Sequence, residues 1–162
     1  MKNEIGFIIV ILLISNTLNS QIITGKVNPD LKHHSVYLEI GGSSLFYSLN
    51  YDYTLRITNE LNLAVGSGFA YSPRSIADYQ GYAFVIAPAC NLLLGKSSHH
   101  VETGLALLSF GPVESTTLSA RIGYRYQRPS GGFLFRIGYT PILMGGPEWI
   151  MPWAGVSFGY TF

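Results

Sequence analysis

The chain has 162 residues, of which only 12% are charged and 14% are aromatic, and its formal net charge is +1. This apolar and aromatic composition excludes intrinsic disorder, and the near-neutral charge leaves no basic excess with which to bind nucleic acid. The 18 glycines and 11 tyrosines argue against a coiled coil. The single cysteine, Cys90, excludes an internal disulfide and every multi-cysteine metal site.

The first twenty residues have the features of a secretory signal peptide. Lys2 supplies a positive charge, and an unbroken apolar run follows over residues 6–14. This run is too short for a membrane-spanning helix, which needs about 20 residues. We therefore expect a signal over residues 1–20 that is cleaved after Ser20, and a short pre-barrel segment over residues 21–34. An uncleaved anchor or a buried helix is the alternative.

From residue 35 onward, apolar side chains alternate with small or polar ones, which is the period of β-strands with two different faces. The clearest case runs from Leu45 to Leu55, about the length of a tilted strand that crosses a membrane. The pattern predicts an all-β protein, an eight-stranded antiparallel up-and-down transmembrane barrel over residues 35–162. The predicted strands cover residues 36–41, 45–55, 61–71, 82–87, 101–108, 118–127, 133–140 and 153–162.

The connections between these strands alternate in length. Short turns are expected at residues 58–60, 95–98 and 129–131, and longer outer loops at residues 72–81, 111–116 and 144–152. The first outer loop, at residues 42–44, is unusually short.

The two faces of the strands differ in a way that a soluble barrel does not show. One face carries bulky apolar and aromatic side chains, and the other carries Gly, Ala, Ser and Asn with a few charges. After residue 20, lysine occurs only at Lys26, Lys32 and Lys96, which is too little for a water-exposed exterior. We expect the bulky face to contact lipid and the small face to fill a narrow lumen. A secreted soluble ligand-binding barrel is an alternative, and it would have an apolar interior and a polar exterior.

Three acidic and three basic residues fall on the face that is predicted to point inward. An arginine on the lipid side would cost roughly 2–4 kcal/mol at mid-depth, whereas opposite charges inside a narrow lumen can pair. The expected register sets Glu102 and Arg136 about opposite Tyr124, so that Glu102 serves both Arg125 and Arg136. Glu39 and Asp52 are expected to reach Arg121 across the lumen. The predicted interior ionic network consists of Glu39, Asp52, Glu102, Arg121, Arg125 and Arg136.

Two prolines lie inside predicted strands. Pro88 and Pro141 each remove a donor from the ladder of backbone hydrogen bonds. We expect a bulge near Pro88, which leaves open the facing of the residues after it, including Cys90.

The sequence offers little support for enzymatic chemistry. Ser-Ser-His-His at residues 97–100, with Glu102 after it, contains the residue types of a hydrolase triad, but neighbouring side chains on a strand face opposite ways. His33 and His34 lie before the barrel and are weak candidates for metal ligands. No glycine-rich phosphate loop, HExxH motif or paired catalytic carboxylates are present. We expect no enzymatic activity, no cofactor and no metal.

The chain ends WAGVSFGYTF, with Val156, Phe158, Tyr160 and terminal Phe162 alternating on one face. This ending resembles the C-terminal assembly signal of bacterial outer-membrane barrels, which has aromatics at alternate positions and a final Phe. The opening hairpin, VYLEIGGSSLFYSLNYDYTL, and the length of the mature chain are similar to those of OmpA/OmpX-type eight-stranded barrels. The resemblance implies insertion by the barrel assembly machinery, but it carries no specific activity because the fold hosts several.

These features together predict a monomeric integral outer-membrane barrel surrounded by lipid. Its expected role is structural, adhesive or one of minor permeability, with side chains that fill the lumen. The alternative within the same membrane is a lipid-modifying enzyme similar to the lipid A deacylases, which would need a convergent Ser/His/acid group near the barrel rim.

Overall fold

The computed structural model describes residues 32–72, 83–111, 115–144 and 150–162. None of the helices in these ranges is long and apolar enough to cross a membrane. The strand segments are β1 (His34–Gly41), β2 (Tyr47–Arg56), β3 (Leu61–Ser72), β4 (Ala83–Leu94), β5 (His99–Gly111), β6 (Ser115–Gln127), β7 (Gly132–Tyr139), β8 (Ile142–Leu143), β9 (Ile150–Met151) and β10 (Ala154–Thr161).

The sheet closes on itself. Consecutive strands from β1 to β7 pair antiparallel, β7 pairs with β10, and β10 pairs with β1. The short segments β8 and β9 extend β7 and β10, so that β7 with β8 and β9 with β10 each form one barrel strand. The fold is therefore a closed eight-stranded antiparallel barrel, and the fold class predicted from the sequence is confirmed.

Prolines interrupt the two composite barrel strands without changing their register. Between β7 and β8, Pro141 has no N–H to donate, but its carbonyl accepts a hydrogen bond from Ala120 N at 3.0 Å. Beside it, Thr140 N donates to Trp153 O at 2.8 Å. These bonds keep the ladder continuous between the segments that carry regular strand geometry.

The bulge expected near Pro88 does not form, so that prediction is wrong. Strands β3 and β4 pair in one unbroken register, with Pro88 opposite Ser67. On the other side, pairing with β5 lapses at Ala87 and Pro88 and then resumes in the same register. Pro88 therefore interrupts the pairing with β5 locally, but no extra residue is inserted as a bulge would require. The alternation of faces continues, and Cys90 is exposed on the outward face.

The bulky side chains point outward around the barrel. Leu49, Tyr51 and Ile137 are 54%, 45% and 51% exposed. The outward positions of the described strands carry no Asp, Glu, Lys or Arg. This arrangement is the reverse of a soluble barrel, which turns its apolar face inward.

The first connection departs from the predicted pattern. A short 3-10 turn, Gly42–Ser44, folds inward, and its residues are buried. Leu45, which was expected on the outer face of the second strand, has a φ of 73° and packs against an interior apolar cluster. Phe46, which was expected to point inward, is exposed and packs edge-to-face on Trp153. Regular alternation begins only at Tyr47, because the positive φ of Leu45 belongs to the turn.

Three layers of side chains fill the barrel. The end that carries residues 32–33 and the connections 57–60, 95–98 and 128–131 is called the turn end, and the opposite end is called the loop end. Polar residues such as His100 and Gln127 lie at the turn end, and the charged residues lie in the middle. The apolar cluster lies towards the loop end and consists of Ala70, Val85, Ala106 and Leu108.

We expect Gly42→Ala to destabilise the barrel by about 1–3 kcal/mol, because a side chain is strained at this position. Gly42 has a φ of +76°, and a Cβ there would overlap the Glu39 carboxylate. Gly132→Ala is the matched control, since Gly132 has a φ of +107° but open space around its Cβ position. Urea unfolding in lipid vesicles measures both changes. Equal losses in the two variants would show that the contact with Glu39 contributes nothing.

Candidate functional site: the interior ionic network

The structure places all six charged residues of the predicted network inside the barrel, and none is more than 4% exposed. They come from five strands and meet because the inward positions of every strand face the same narrow lumen. Strand β1 supplies Glu39, β2 supplies Asp52, β5 supplies Glu102, β6 supplies Arg121 and Arg125, and β7 supplies Arg136.

Glu102 lies at the centre of the network. Arg136 donates to both of its carboxylate oxygens, from Nε at 3.0 Å and from Nη2 at 2.8 Å. The Nη1 atom of Arg125 lies 3.6 Å from Oε1, and the Nη1 atom of Arg121 lies 4.0 Å from Oε2. One carboxylate therefore lies within ion-pair distance of all three arginines, and its closest partner holds it with the two-point geometry that makes such bonds strong.

The other two acids each hold one arginine across the lumen. Asp52 accepts two hydrogen bonds from Arg125, at 2.7 and 3.0 Å. Glu39 pairs with Arg121 and also accepts a hydrogen bond from Ser157 Oγ at 3.0 Å. Asp52 was expected to pair with Arg121, but in the structure it pairs with Arg125.

The register expected from the sequence was off by one residue on both sides of β6. Glu102 lies opposite Gly123, and Arg136 lies opposite Arg125, whereas both were expected opposite Tyr124. The expected centre of each connection differs from its actual centre by half a residue. An error of half a residue in the centre of a connection shifts the pairing of its two strands by one residue. Directly opposed residues share a face, so Arg136 and Arg125 extend side by side and need the carboxylates between them.

Tyr37 belongs to this network, although the sequence did not single it out. Its ring is buried, and the guanidinium carbon of Arg136 lies 4.5 Å from the ring centroid. A ring face attracts a cation most strongly where water is excluded. Its place on the inward face beside Glu39 was the one signal in the sequence that could have identified it.

The ionic network closes the lumen in the middle of the barrel. Its three positive and three negative charges sum to zero, as a low-dielectric interior requires. The cavity that remains beside it, lined by Tyr37 and Asn50 among others, measures about 20 Å³, which is little more than a single water molecule needs. The arrangement can brace strands against one another and block solutes.

The residues of the predicted assembly signal lie along β10, next to the closure with β1. Phe158, Tyr160 and Phe162 are exposed, and Val156 is half-buried. Phe162 N donates to His34 O at 2.8 Å, and the two rings stack with centroids 5.9 Å apart. The last residue therefore takes part in closing the barrel.

The candidate hydrolase residues do not converge. His99 points outward and hydrogen-bonds Tyr124 Oη at 2.6 Å, whereas His100 points inward and is buried. Glu102 is held by arginines. His33 contacts Thr54 O at 2.7 Å through Nδ1. Across the described ranges, no group of three or more His, Cys, Asp or Glu side chains could hold a metal ion.

The sequence matches no protein-family description and no curated protein. Among solved structures, the N-terminal β-barrel domain of Pseudomonas aeruginosa OprF is similar, with a TM-score of 0.51 and 15% identity over 82% of this chain and 98% of that one. The outer membrane protein Ail of Yersinia pestis, determined in a phospholipid bilayer nanodisc, has a TM-score of 0.47 and 11% identity over 81% of this chain and 99% of that one. The likeness to the OprF domain shows the fold: this chain is built as a small OmpA/OmpX-type barrel, as its sequence predicted.

We expect Glu102→Gln to destabilise the barrel by about 3–5 kcal/mol, because it leaves buried positive charge without a partner. Glu60→Gln is the control, since Glu60 forms an exposed ion pair with Lys96 at 2.8 Å and such pairs contribute at most about 1 kcal/mol. Removing Arg136 as well, in Glu102→Gln/Arg136→Met, should recover part of the loss by restoring neutrality. Urea unfolding in vesicles measures all three, and a Glu102→Gln loss no larger than that of Glu60→Gln would contradict the network's role.

Proposed function

We propose that this protein is a monomeric, non-enzymatic integral protein of the bacterial outer membrane with a structural or adhesive role and a lumen that does not conduct. The observation that carries the proposal is the outward surface. Most of its side chains are apolar on every described barrel strand, and it carries no Asp, Glu, Lys or Arg. A closed barrel satisfies all its backbone donors and acceptors internally, which is the condition for crossing lipid with strands.

The filled interior supports a structural role over permeability. The ionic network closes the middle of the barrel, and the apolar cluster around Leu108 fills the part towards the loop end. The inward turn Gly42–Ser44 lies over the same interior. A solute would have to displace paired charges and packed apolar side chains in turn.

An adhesive role would depend on the long connections at the loop end. These carry Arg74, Asp78, Glu114 and Glu148, and they lie outside the described residues. The predicted signal over residues 1–20 and its cleavage after Ser20 lie outside them as well. The adhesive role and the cleaved signal are therefore both part of the proposal.

The described residues do not support the alternative function, a lipid-modifying enzyme. Such an enzyme needs Ser, His and an acid converging near the barrel rim. Here His99 and His100 face opposite sides of the wall, and Glu102 lies in the network.

The protein should fractionate with the outer membrane and migrate on gels in a heat-modifiable form. Within it, Leu105→Arg should destabilise the barrel by about 2–4 kcal/mol and Val101→Arg by about 0–1 kcal/mol, because the cost of a charge on the lipid face falls towards the interface. The two side chains are matched, since both point outward from β5 and are 54% and 55% exposed. Urea unfolding in vesicles measures the difference. Recovery as a soluble periplasmic protein, or equal small effects of both changes, would contradict the proposal.

We expect Phe162→Ala to reduce the amount of barrel assembled in cells, because the terminal aromatic is part of the proposed signal for the assembly machinery. Phe133→Ala is the control, since Phe133 is an outward aromatic of similar exposure, 56% against 53%, at the same end of the barrel. Refolding of both variants into detergent separates recognition from stability. If Phe162→Ala also refolds poorly without the machinery, its defect comes from the closure with β1 and not from a lost signal.

A further inference from the structure

A cavity of about 110 Å³ opens at the turn end of the barrel, and we call it the mouth cavity. Its inner wall includes Leu93, His100 and Gln127, all at least nine-tenths buried. Lys32 and His33 extend β1 across the rim, where Lys32 N donates to Pro129 O at 2.8 Å. The space is enough for several water molecules or one small ligand, and neither the ionic network nor the proposed role uses it.

The charge of the mouth cavity has one sign. Lys32, Arg56 and Arg128 line it, and none of its described lining residues is acidic. Of the described acids, Asp52 holds Arg125 deeper in the lumen and Glu60 pairs with Lys96. The positive charge at this end is therefore not neutralised by the described residues of the cavity.

The arginines of the cavity retain donor capacity. Arg56 Nη2 donates to Asn59 Oδ1 at 2.9 Å, and its Nε donates to Thr58 O at 3.4 Å. Arg128 Nε donates to Tyr126 Oη at 2.8 Å. Each guanidinium has five N–H donors, so these contacts use only part of either set.

Two buried polar atoms on the wall lack a partner among the described residues. They are His100 Nδ1 and Gln127 Oε1. Buried polar groups are rarely left unpaired, and an unpaired one calls for a ligand or a water. The Gln127 amide nitrogen lies 3.4 Å from the hydroxyls of Ser35 and Thr54. Because hydroxyls can donate as well as accept, the amide can turn and present its NH₂ group to the cavity.

We infer that the mouth cavity binds a small oxyanion of phosphate size. Arg56, Arg128 and Lys32 supply the charge, since guanidinium groups match the oxygens of phosphate in two-point hydrogen bonds. An N–H of His100 and the turned amide of Gln127 supply uncharged donors from the wall. The ligand is a free phosphate or the phosphate headgroup of a lipid in the leaflet next to the turn end. This site is additional to the structural or adhesive role and does not depend on it.

The test uses the folded mature barrel in maltoside micelles, which contain no phosphate. Inorganic phosphate is titrated in while the His100 ring and the Gln127 side-chain amide are followed by NMR. We expect saturable shifts at both groups, and about tenfold weaker binding in Arg128→Gln or Arg56→Gln. Lys96→Gln is the matched control, because it removes one exposed charge from the same end outside the cavity; its affinity should stay within about twofold.

A second titration distinguishes the two sources. Phosphatidylglycerol added to the micelles should reproduce the shifts if the ligand is a lipid headgroup, and inorganic phosphate alone should produce them if it is the free ion. Either pattern supports the site. No saturable shift with either probe would overturn it. Equal weakening in Lys96→Gln and Arg128→Gln, or equal shifts with chloride at the same ionic strength, would also overturn it, since general surface charge would then explain the effect.

Discussion

The pairing of β1 with β10 closes the sheet and decides which surroundings each side chain meets. An open sheet in lipid would leave a row of backbone donors and acceptors without water, at a cost of several kcal/mol for each group. Once the sheet is closed, its two faces meet different surroundings. Outward positions carry no formal charge in the described strands, and inward positions must fill a space too narrow for bulk water. The choice of residues at every other position follows from this division.

The charged side chains in the narrow interior are paired with side chains of opposite charge. Three arginines on β6 and β7 would repel one another if left alone, and Glu102 offsets that repulsion by lying within 4.0 Å of each of them. Replacing such a network by apolar side chains is often neutral or stabilising in other proteins, so we attribute to it a role in fixing register as well as in stability. A one-residue slip of β5 against β6 would turn Glu102 to the outward face and remove the carboxylate that holds Arg136.

Much of this arrangement could be predicted from the sequence, because a period of two assigns each residue to a face without knowledge of its neighbours. The faces of Leu49 and Ile137 and the inward set of charges follow from it. Register was harder to predict, since the centre of a connection cannot be placed to within half a residue by inspection. The predicted faces already excluded the pairing of inward Glu102 with outward Tyr124, because opposed residues share a face. Leu45 and Phe46 could not be predicted in this way, since a single positive φ interrupts the period. The bulge expected at Pro88 was wrong because the strand tolerates a lost hydrogen-bond donor without changing its register.

The ionic network and the mouth cavity meet at one hydroxyl. Ser35 Oγ lies 3.4 Å from both Arg125 Nη2 and Gln127 Nε2, and 3.1 Å from Thr161 Oγ1 on β10. Turning the Gln127 amide towards an anion would make Ser35 the donor to Gln127 and so change its bond with Thr161 across the closure of the barrel. The network beneath is already neutral, so it neither supplies a carboxylate to the cavity nor needs its cations. The described residues of the cavity supply no acid to pair with Lys32, Arg56 and Arg128, and an anion bound there would act on the strands that close the sheet.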